Sequence, residues 1–336
     1  MAVVDWYCTN HKEILMSHQV ENMFSVKEVP WHNLGKIIDK APTIKDGIEL
    51  AGLNWEVAMQ PTYLKDGRKL ASQAVIRTSD NTILGEVGSK YHPLQNSKAF
   101  EFFEEFVQSG EVSLETAGSL DNGKKIWVLA QLNRSPIEVA AGDEVRKYLL
   151  LTNRHDGVAS AMVGFAPIRV VCANTLAAAI GATDSALLRV RHTKGIELGL
   201  EKIKEMVNVA NAQFESTGEM FKAMARHGVS TADLKKYVHL VFYPDVTEKE
   251  ITARQQTRLD AITTDITKLF ETGYGNSMPS VQGSMWALYN GVTQYLSYNV
   301  KDNANDRMDS LWFGTNKATN ARAMQMAVKM SAGSAV

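Results

Sequence analysis

Four consecutive polar residues, Asn153, Arg154, His155 and Asp156, end the apolar run that begins at Tyr148 and stand just before Gly157. An imidazole beside a carboxylate can move a proton near neutral pH, because the ring titrates there and the carboxylate can fix one tautomer. A second run, Pro167-Ile-Arg-Val-Val-Cys-Ala-Asn-Thr175, carries Arg169 inside it and closes on Asn174 and Thr175. The forked guanidinium of Arg169 suits a phosphate, and it equally suits a structural ion pair with a carboxylate. Asn153, His155, Asp156 and Asn174 form the candidate ligand site if the two segments meet, with His155 close to Arg169 or Asn174. The bland alternative is a pair of polar turns whose side chains satisfy backbone groups. No serine or cysteine nucleophile lies in a recognised motif, so no catalytic group is assigned.

A second chemistry comes from cations. Arg189, Arg191, His192 and Lys194 make the densest basic cluster, and period-two alternation puts Arg189 and Arg191 on one face of a strand. Such a face either contacts phosphates or protects a solvated sheet edge. Arg154 and Arg169 are further candidates for phosphate contact. The formal net charge is −1, so nucleic acid would have to be met by a local patch. The histidines at 11, 18, 32, 92, 155, 192, 227 and 239 are dispersed without close His/Cys pairs, which points to no metal site. No cofactor motif is present; Gly273-Tyr-Gly-Asn276 lacks the Gly-Lys-Ser/Thr ending of a phosphate loop and follows a helical pattern.

The elements that must position these groups are readable from periodicity. Residues 1–40 are irregular, with Pro30-Trp-His-Asn-Leu-Gly35 as an aromatic-bearing turn. A short helix starts at Thr43, and Trp55–Met59, Leu70–Arg77 and Ile83–Val87 alternate as strands around the turns Lys65-Asp-Gly67 and Ser79-Asp-Asn81. Apolar spacing predicts a helix over 97–108, ended by Gly110, and Asp121-Asn-Gly123 predicts a hairpin between Val112–Leu120 and Ile126–Leu132. Ala186–His192 reads as one more strand. From Gly195 onward the pattern is helical. Ser230-Thr-Ala-Asp233 and Thr247-Glu-Lys-Glu250 have the form of capping boxes, the second opening a helix through Ile251, Leu259, Ile262, Ile266 and Leu269. Further helices are expected over 284–298 and 317–330, with Trp286 in the core.

The fold class expected is therefore α+β: an antiparallel, sheet-rich domain over 1–194 and a helical region over 195–336 packed on it. A content of 45% hydrophobic and 22% charged residues is that of a globular protein. Val158–Ala182, the most apolar stretch, is broken by Pro167, Arg169 and Asn174, which predicts no membrane span. Two distant cysteines, Cys8 and Cys172, and no signal-peptide pattern predict a cytoplasmic setting.

Several stretches together resemble the phage/plasmid-like protein family, a domain of unknown function found in phages, prophages and conjugative plasmids. They are Pro30–Gly35, Tyr91-His-Pro-Leu-Gln-Asn96, the Trp127 strand, Leu151–Gly157, Arg169–Thr175, Gly283-Ser-Met-Trp-Ala-Leu-Tyr-Asn290 and Phe313-Gly314. Family members usually carry serine where this chain has Arg154, and Thr-Ala-Trp where it has Ser284-Met-Trp286. The resemblance implies a bacterial host cell. The order helix, three strands, helix over 43–108 is also similar to the core of single-strand annealing proteins of the Red-beta and RecT type. That analogy, one of fold and not of site, implies a non-catalytic homo-oligomer that binds single-stranded DNA. The basic cluster of Arg189, Arg191 and Lys194 is then the expected phosphate contact, with Arg154 and Arg169 as further candidates. The alternatives are an enzyme acting on a nucleotide or phosphodiester at His155 and Asp156, and a phage protein that binds a host factor or a small signalling molecule.

Overall fold

Asp121, Asn122 and Gly123 all take positive φ, at 54°, 54° and 84°, so the reversal falls on the residue types that tolerate it. It joins β6 (Val112–Leu120) to β7 (Lys125–Leu132) in antiparallel register, Leu120 opposite Lys125. The computed structural model that contains this hairpin describes residues 20–27, 35–133, 135–169, 188–207, 211–247, 249–298 and 315–333, without the side chains of 166–169, 205–207, 211–215 and 298. By its contacts the chain divides into two compact units. One takes Met1–Arg134, Lys147–Phe165 and Ser185–Asn211; the other takes Ser135–Arg146, Ala166–Asp184 and Ala212–Val336.

In the first unit, β6 and β7 lie inside a sheet with β1 (Val20–Val26) and β2 (Lys36–Ile38) on one side. On the other side lie β9 (Asp143–Arg154), β10 (Ala161–Arg169) and β11 (Leu188–Val190). The order is β11-β10-β9-β7-β6-β1-β2; β1 and β2 run parallel, and the other registered pairs are antiparallel. Alternation along β7 and β9 directs Ile126, Val128, Leu149 and Leu151 into a core shared with Phe24, Leu53, Phe100 and Phe103. Trp127, Leu129 and Leu150 point the other way and are buried too, so both strands are covered on both faces. A second sheet, β3 (Val57–Tyr63), β4 (Lys69–Arg77) and β5 (Ile83–Gly88), has its own small core of Val57, Val75, Leu84 and Val87.

Among the described residues, the helices of this unit are α1 (Ile44–Leu50), α2 (Asn96–Glu101), α3 (Glu104–Gln108) and α4 (Ile196–Val207). Thr43 caps α1 by accepting from the Asp46 N–H at 3.2 Å. The single helix expected over 97–108 is two. A continuous helix turns successive residues about 100° apart, and here Phe102 and Phe103 are both buried, their rings edge-on at 5.1 Å. A tight bond from the Phe103 N–H to the Phe100 carbonyl makes the break that allows it. Of the strand expected over 186–192, β11 ends at Val190, before Arg191; Val190 is buried and Arg189 and Arg191 are exposed. The Pro30 turn and residues 170–187 lie outside the described residues.

The second unit holds β8 (Ile137–Ala140), which pairs with the first residues of β9, and helices α5 (Asn211–Arg226), α6 (Thr231–Phe242), α7 (Ala253–Thr272), α8 (Met285–Tyr298) and α9 (Thr315–Ser331). Ser230 and Asp233 form the expected capping box of α6. For α7 the start moves. Thr247 and Glu250 do bond each other, but they close only a turn, and the cap is a second box, Thr252 with Gln255. Only that second box stands directly before the apolar face of Leu259, Ile262 and Ile266. Asn276 is fully buried and donates both amide hydrogens, to the Leu269 and Ala287 carbonyls at 2.9 Å, so the glycine-flanked loop is a helix joint.

Trp286 is 2% exposed, lies 4.6 Å from the Phe221 ring and donates its indole N–H to the buried Asp143 carboxylate at 2.8 Å. A buried carboxylate that loses a donor keeps its desolvation cost. Trp286→Phe should therefore destabilise the protein by about 1–3 kcal/mol beyond the small packing change. The urea midpoint followed by far-UV circular dichroism measures this, and an unshifted midpoint would show that other donors carry Asp143.

Candidate functional site

The site starts from the end of β9. The His155 N–H donates to the Lys124 carbonyl at 2.8 Å, which extends the β7–β9 ladder by one residue and turns the imidazole inward. The ring is fully buried, 5.5 Å from the Trp55 ring, with Nε2 3.0 Å from Asn96 Oδ1. Asn96 settles the direction of that bond. Its amide nitrogen donates to the carbonyls of Leu53 at 3.2 Å and Trp55 at 3.3 Å, which leaves Oδ1 only as an acceptor. His155 is thus the Nε2–H tautomer, and its Nδ1 lone pair meets no donor. Burial first, and then the neighbouring His192, pushes the ring down to about 3, against an opposing pull from Asp156, so it is neutral at physiological pH.

The next residues are tied just as closely. Arg154 Nε bonds both oxygens of Asp156 at 3.0 and 3.2 Å, and Nη2 adds a further bond. The Val158 N–H donates to the same carboxylate at 3.0 Å. Burial raises the Asp156 carboxyl, but the Arg154 and Val158 hydrogen bonds and the charges of Arg154 and Lys125 outweigh it and hold the group below its usual range. Asn153 donates to the Leu94 carbonyl at 3.4 Å. Gly85 of β5 presses on this turn: a Cβ there would stand 2.5 Å from Asp156 Cα, so only glycine fits. Gly157 has φ 76° and its own added Cβ would meet Val87 at 2.5 Å.

Outside this buried layer a shallow cleft of about 420 Å³ opens between 88–91, 157–160 and 191–193. Lys90 and Arg191 are exposed at its walls, Ser160 and Thr193 contribute hydroxyls, and no carboxylate side chain lines it. Tyr91 stacks on His192 at 4.7 Å and donates its hydroxyl to the Arg154 carbonyl at 3.1 Å. Burial, and then Asp156, holds the Tyr91 hydroxyl in its protonated form by raising its pKa. His192 shares two bonds with His92: Nδ1 lies 3.3 Å from the His92 carbonyl, and the His92 N–H donates to the His192 carbonyl at 3.1 Å. Burial lowers the His192 ring, with the His92 carbonyl, Asp156 and the Ala159 backbone opposing.

The structure brings Asn153, Arg154, His155 and Asp156 into one joint, with only His155 wholly closed to solvent, and puts Arg191 on the cleft beside it. Arg189 is exposed on β11, opposite Met162. Lys194 lies elsewhere, on a groove lined with glutamates. The Arg169 side chain and Asn174 lie outside the described residues, and with them the expected approach to His155. Among the described residues no group of three His, Cys, Asp or Glu side chains stands ready for a metal, and no helix is long and apolar enough to cross a membrane. Asn96, Trp55 and Lys90 were not singled out as site residues by the sequence. Two amides in succession after Pro93, Gln95 and Asn96, were the available signal, and Gln95 indeed clasps the Val57 backbone at 2.8 and 2.9 Å.

The family described as Domain of unknown function (DUF932) matches residues 83–323, well over half of the chain. The chain belongs to this family. The matched span begins at β5 and so includes the whole cleft, the joint residues Asn96 and His155, and α8 with Trp286, whereas Trp55 precedes it. No curated protein and no solved structure matches the chain.

The joint makes stability depend on pH. The unfolded His155 takes up a proton near its ordinary value of 6.5, while the folded ring resists until about 3. Between these values the unfolded state binds more protons, so stability falls on acidification, by up to about 1.4 kcal/mol per pH unit. His192 adds in the same direction, and Asp156 adds only below the ordinary carboxylate range. His155→Gln keeps a donor for Asn96 and removes the titration. Urea midpoints between pH 6.5 and 4 should therefore fall less steeply in the variant; equal slopes would assign the acid sensitivity elsewhere.

Proposed function

We propose that this DUF932 chain is a non-catalytic nucleic-acid-binding protein that holds single-stranded DNA along the Lys90–Arg191 cleft. The observation that carries the reading is the cleft lining: two exposed cations, two hydroxyls and an aromatic pair, with no carboxylate side chain among them. Single strands are bound by such combinations, in which cations track phosphates and aromatic residues border the bases. Exposed Arg189, two residues before Arg191 at the end of β11, lengthens the basic edge. Arg154 acts indirectly, by fixing the Asp156 turn that forms one wall. Lys194, across from glutamates, makes the weakest phosphate contact of the set.

The sequence resemblance to phage/plasmid-like proteins supports work on a replicating or recombining genome in the cytoplasm of a bacterial cell. The order of elements over 43–108 supports annealing by a homo-oligomer. A hydrolytic role for His155 has less support, because proton transfer to a ligand would require the Asn96 and Trp55 contacts to open.

Fluorescence anisotropy with a labelled oligo-dT strand across a potassium chloride series tests the reading. Replacing Lys90 and Arg191 together by Ala should weaken binding at all sequences alike. The slope of log affinity against log salt should shrink by roughly 0.7 for each phosphate that is no longer neutralised. Folding should change little, since exposed charges contribute less than about 1 kcal/mol each. An unchanged slope would move binding away from the cleft, and a parent protein that binds no oligonucleotide at any salt would end the proposal.

A further inference from the structure

β5 pairs with β4 only from Ser72 to Ile76, so the far end of the β3–β4 hairpin runs on as a two-stranded ribbon. This tip is apolar and basic at once. Tyr63, Leu64 and Leu70 are 59%, 41% and 36% exposed, and Lys65, Arg68 and Lys69 surround them with Asp66 as the single acid. Asp66 is engaged by Arg68 at 2.8 Å, which leaves the tip with a net positive charge. Large apolar side chains grouped on a projecting ribbon are an interaction surface more often than chance exposure.

The same unit carries a surface of opposite character. Helices α2, α3 and α4 enclose a groove of about 710 Å³ with Phe102 and Leu200 in its floor and Leu198, 71% exposed, on its wall. Five glutamates, 101, 104, 105, 197 and 201, line it against Lys98, Lys194 and Lys204. Two of those lysines are already matched within the groove, Lys98 with Glu101 and Lys204 with Glu105, both at 2.7 Å. Acidic side chains remain in excess around an apolar floor.

From this complementarity we infer that the hairpin tip of one copy docks in the α2–α3–α4 groove of the next. Tyr63, Leu64 and Leu70 meet the apolar floor and Leu198, while Lys65, Arg68 and Lys69 face Glu104, Glu197 and Glu201. Charge restricts the contact: tip with tip, or groove with groove, sets like charges against each other, whereas tip into groove pairs opposite ones. Such a contact either closes reciprocally as a twofold dimer or runs head to tail into a ring or filament; the head-to-tail form is the one proposed, and a parent protein that stops at a dimer overturns it. The interface deepens the self-association part of the proposed function and requires no nucleic acid.

Sedimentation velocity of the full chain without DNA tests it. The parent protein should form species larger than a dimer that grow with concentration and dissociate in high salt. Reversing the tip, Lys65→Glu with Arg68→Glu and Lys69→Glu, should give a monomer, and so should reversing the groove, Glu104→Lys with Glu201→Lys. Mixed, the two variants should associate again, because the native basic tip of one meets the native acidic groove of the other and the reversed acidic tip meets the reversed basic groove. Thermal melts confirm that each variant folds; should a multiple variant fail, the single exposed change Tyr63→Asp serves in its place. A parent protein that stays monomeric at every concentration, variants that assemble as the parent does, or a mixture that fails to pair each overturn the interface. None of these results bears on oligonucleotide affinity measured at the cleft.

Discussion

One buried hydrogen bond organises this protein: His155 Nε2 to Asn96 Oδ1. It joins three pieces of chain that are distant in sequence, namely the end of β9, the start of α2, and the Leu53–Trp55 connection whose carbonyls the Asn96 amide caps. Each group is wholly or nearly removed from water, where an unmet polar atom costs about 1–3 kcal/mol. A partial arrangement is therefore penalised, and the three segments meet correctly or hardly at all. The arrangement also decides the chemistry open to His155. With Nε2 committed as a donor and burial holding the ring neutral, the imidazole acts as a structural fastener and not as an exposed acid or base.

The cleft follows from that fastener. With His155 fixed, Asp156 turns back onto Arg154 and brings Gly157 against Val87, and Gly85 admits the Asp156 backbone at a distance no side chain would allow. The Tyr91 hydroxyl bonds the Arg154 carbonyl, and the reciprocal His92 and His192 contacts bring the end of β11 alongside. Lys90 and Arg191, far apart in sequence, then face one hollow that no carboxylate side chain lines.

Where local chemistry suffices, the sequence was legible. Asp121-Asn122-Gly123 makes its turn, Ser230 and Asp233 make their capping box, and the alternation around Val190 exposes Arg189 and Arg191. Each rests on residues within a few positions of one another. The failures are those of competition and distance. A periodic pattern over 97–108 cannot reveal that Phe102 and Phe103 both need burial and break the helix between them. Two overlapping capping signals at 247–250 and 252–255 look alike until the apolar face behind the second is packed. The candidate residues 153–156 were visible as a polar cluster, but their nature as a joint depended on Asn96, 59 positions away from His155, and no periodicity carries that information.

Charge shows the same limit of averages. A net charge of −1 suggests a surface without electrostatic character. The first unit instead separates its charges: a cleft with cations and no carboxylate, a hairpin tip with three cations to one acid, and a groove with five glutamates to three lysines. At physiological salt a charge is felt over about 8 Å, so a partner arriving at one patch is blind to the sum over the whole chain. Separated patches of opposite sign suit two tasks that a uniformly basic surface cannot combine. On the proposed reading, cations at the cleft meet a polyanion, while tip and groove meet between copies. A uniformly basic protein would bind phosphate more strongly yet repel its own copies. The near-neutral total is the balance a chain needs if it is both to hold an acidic strand and to line up along it.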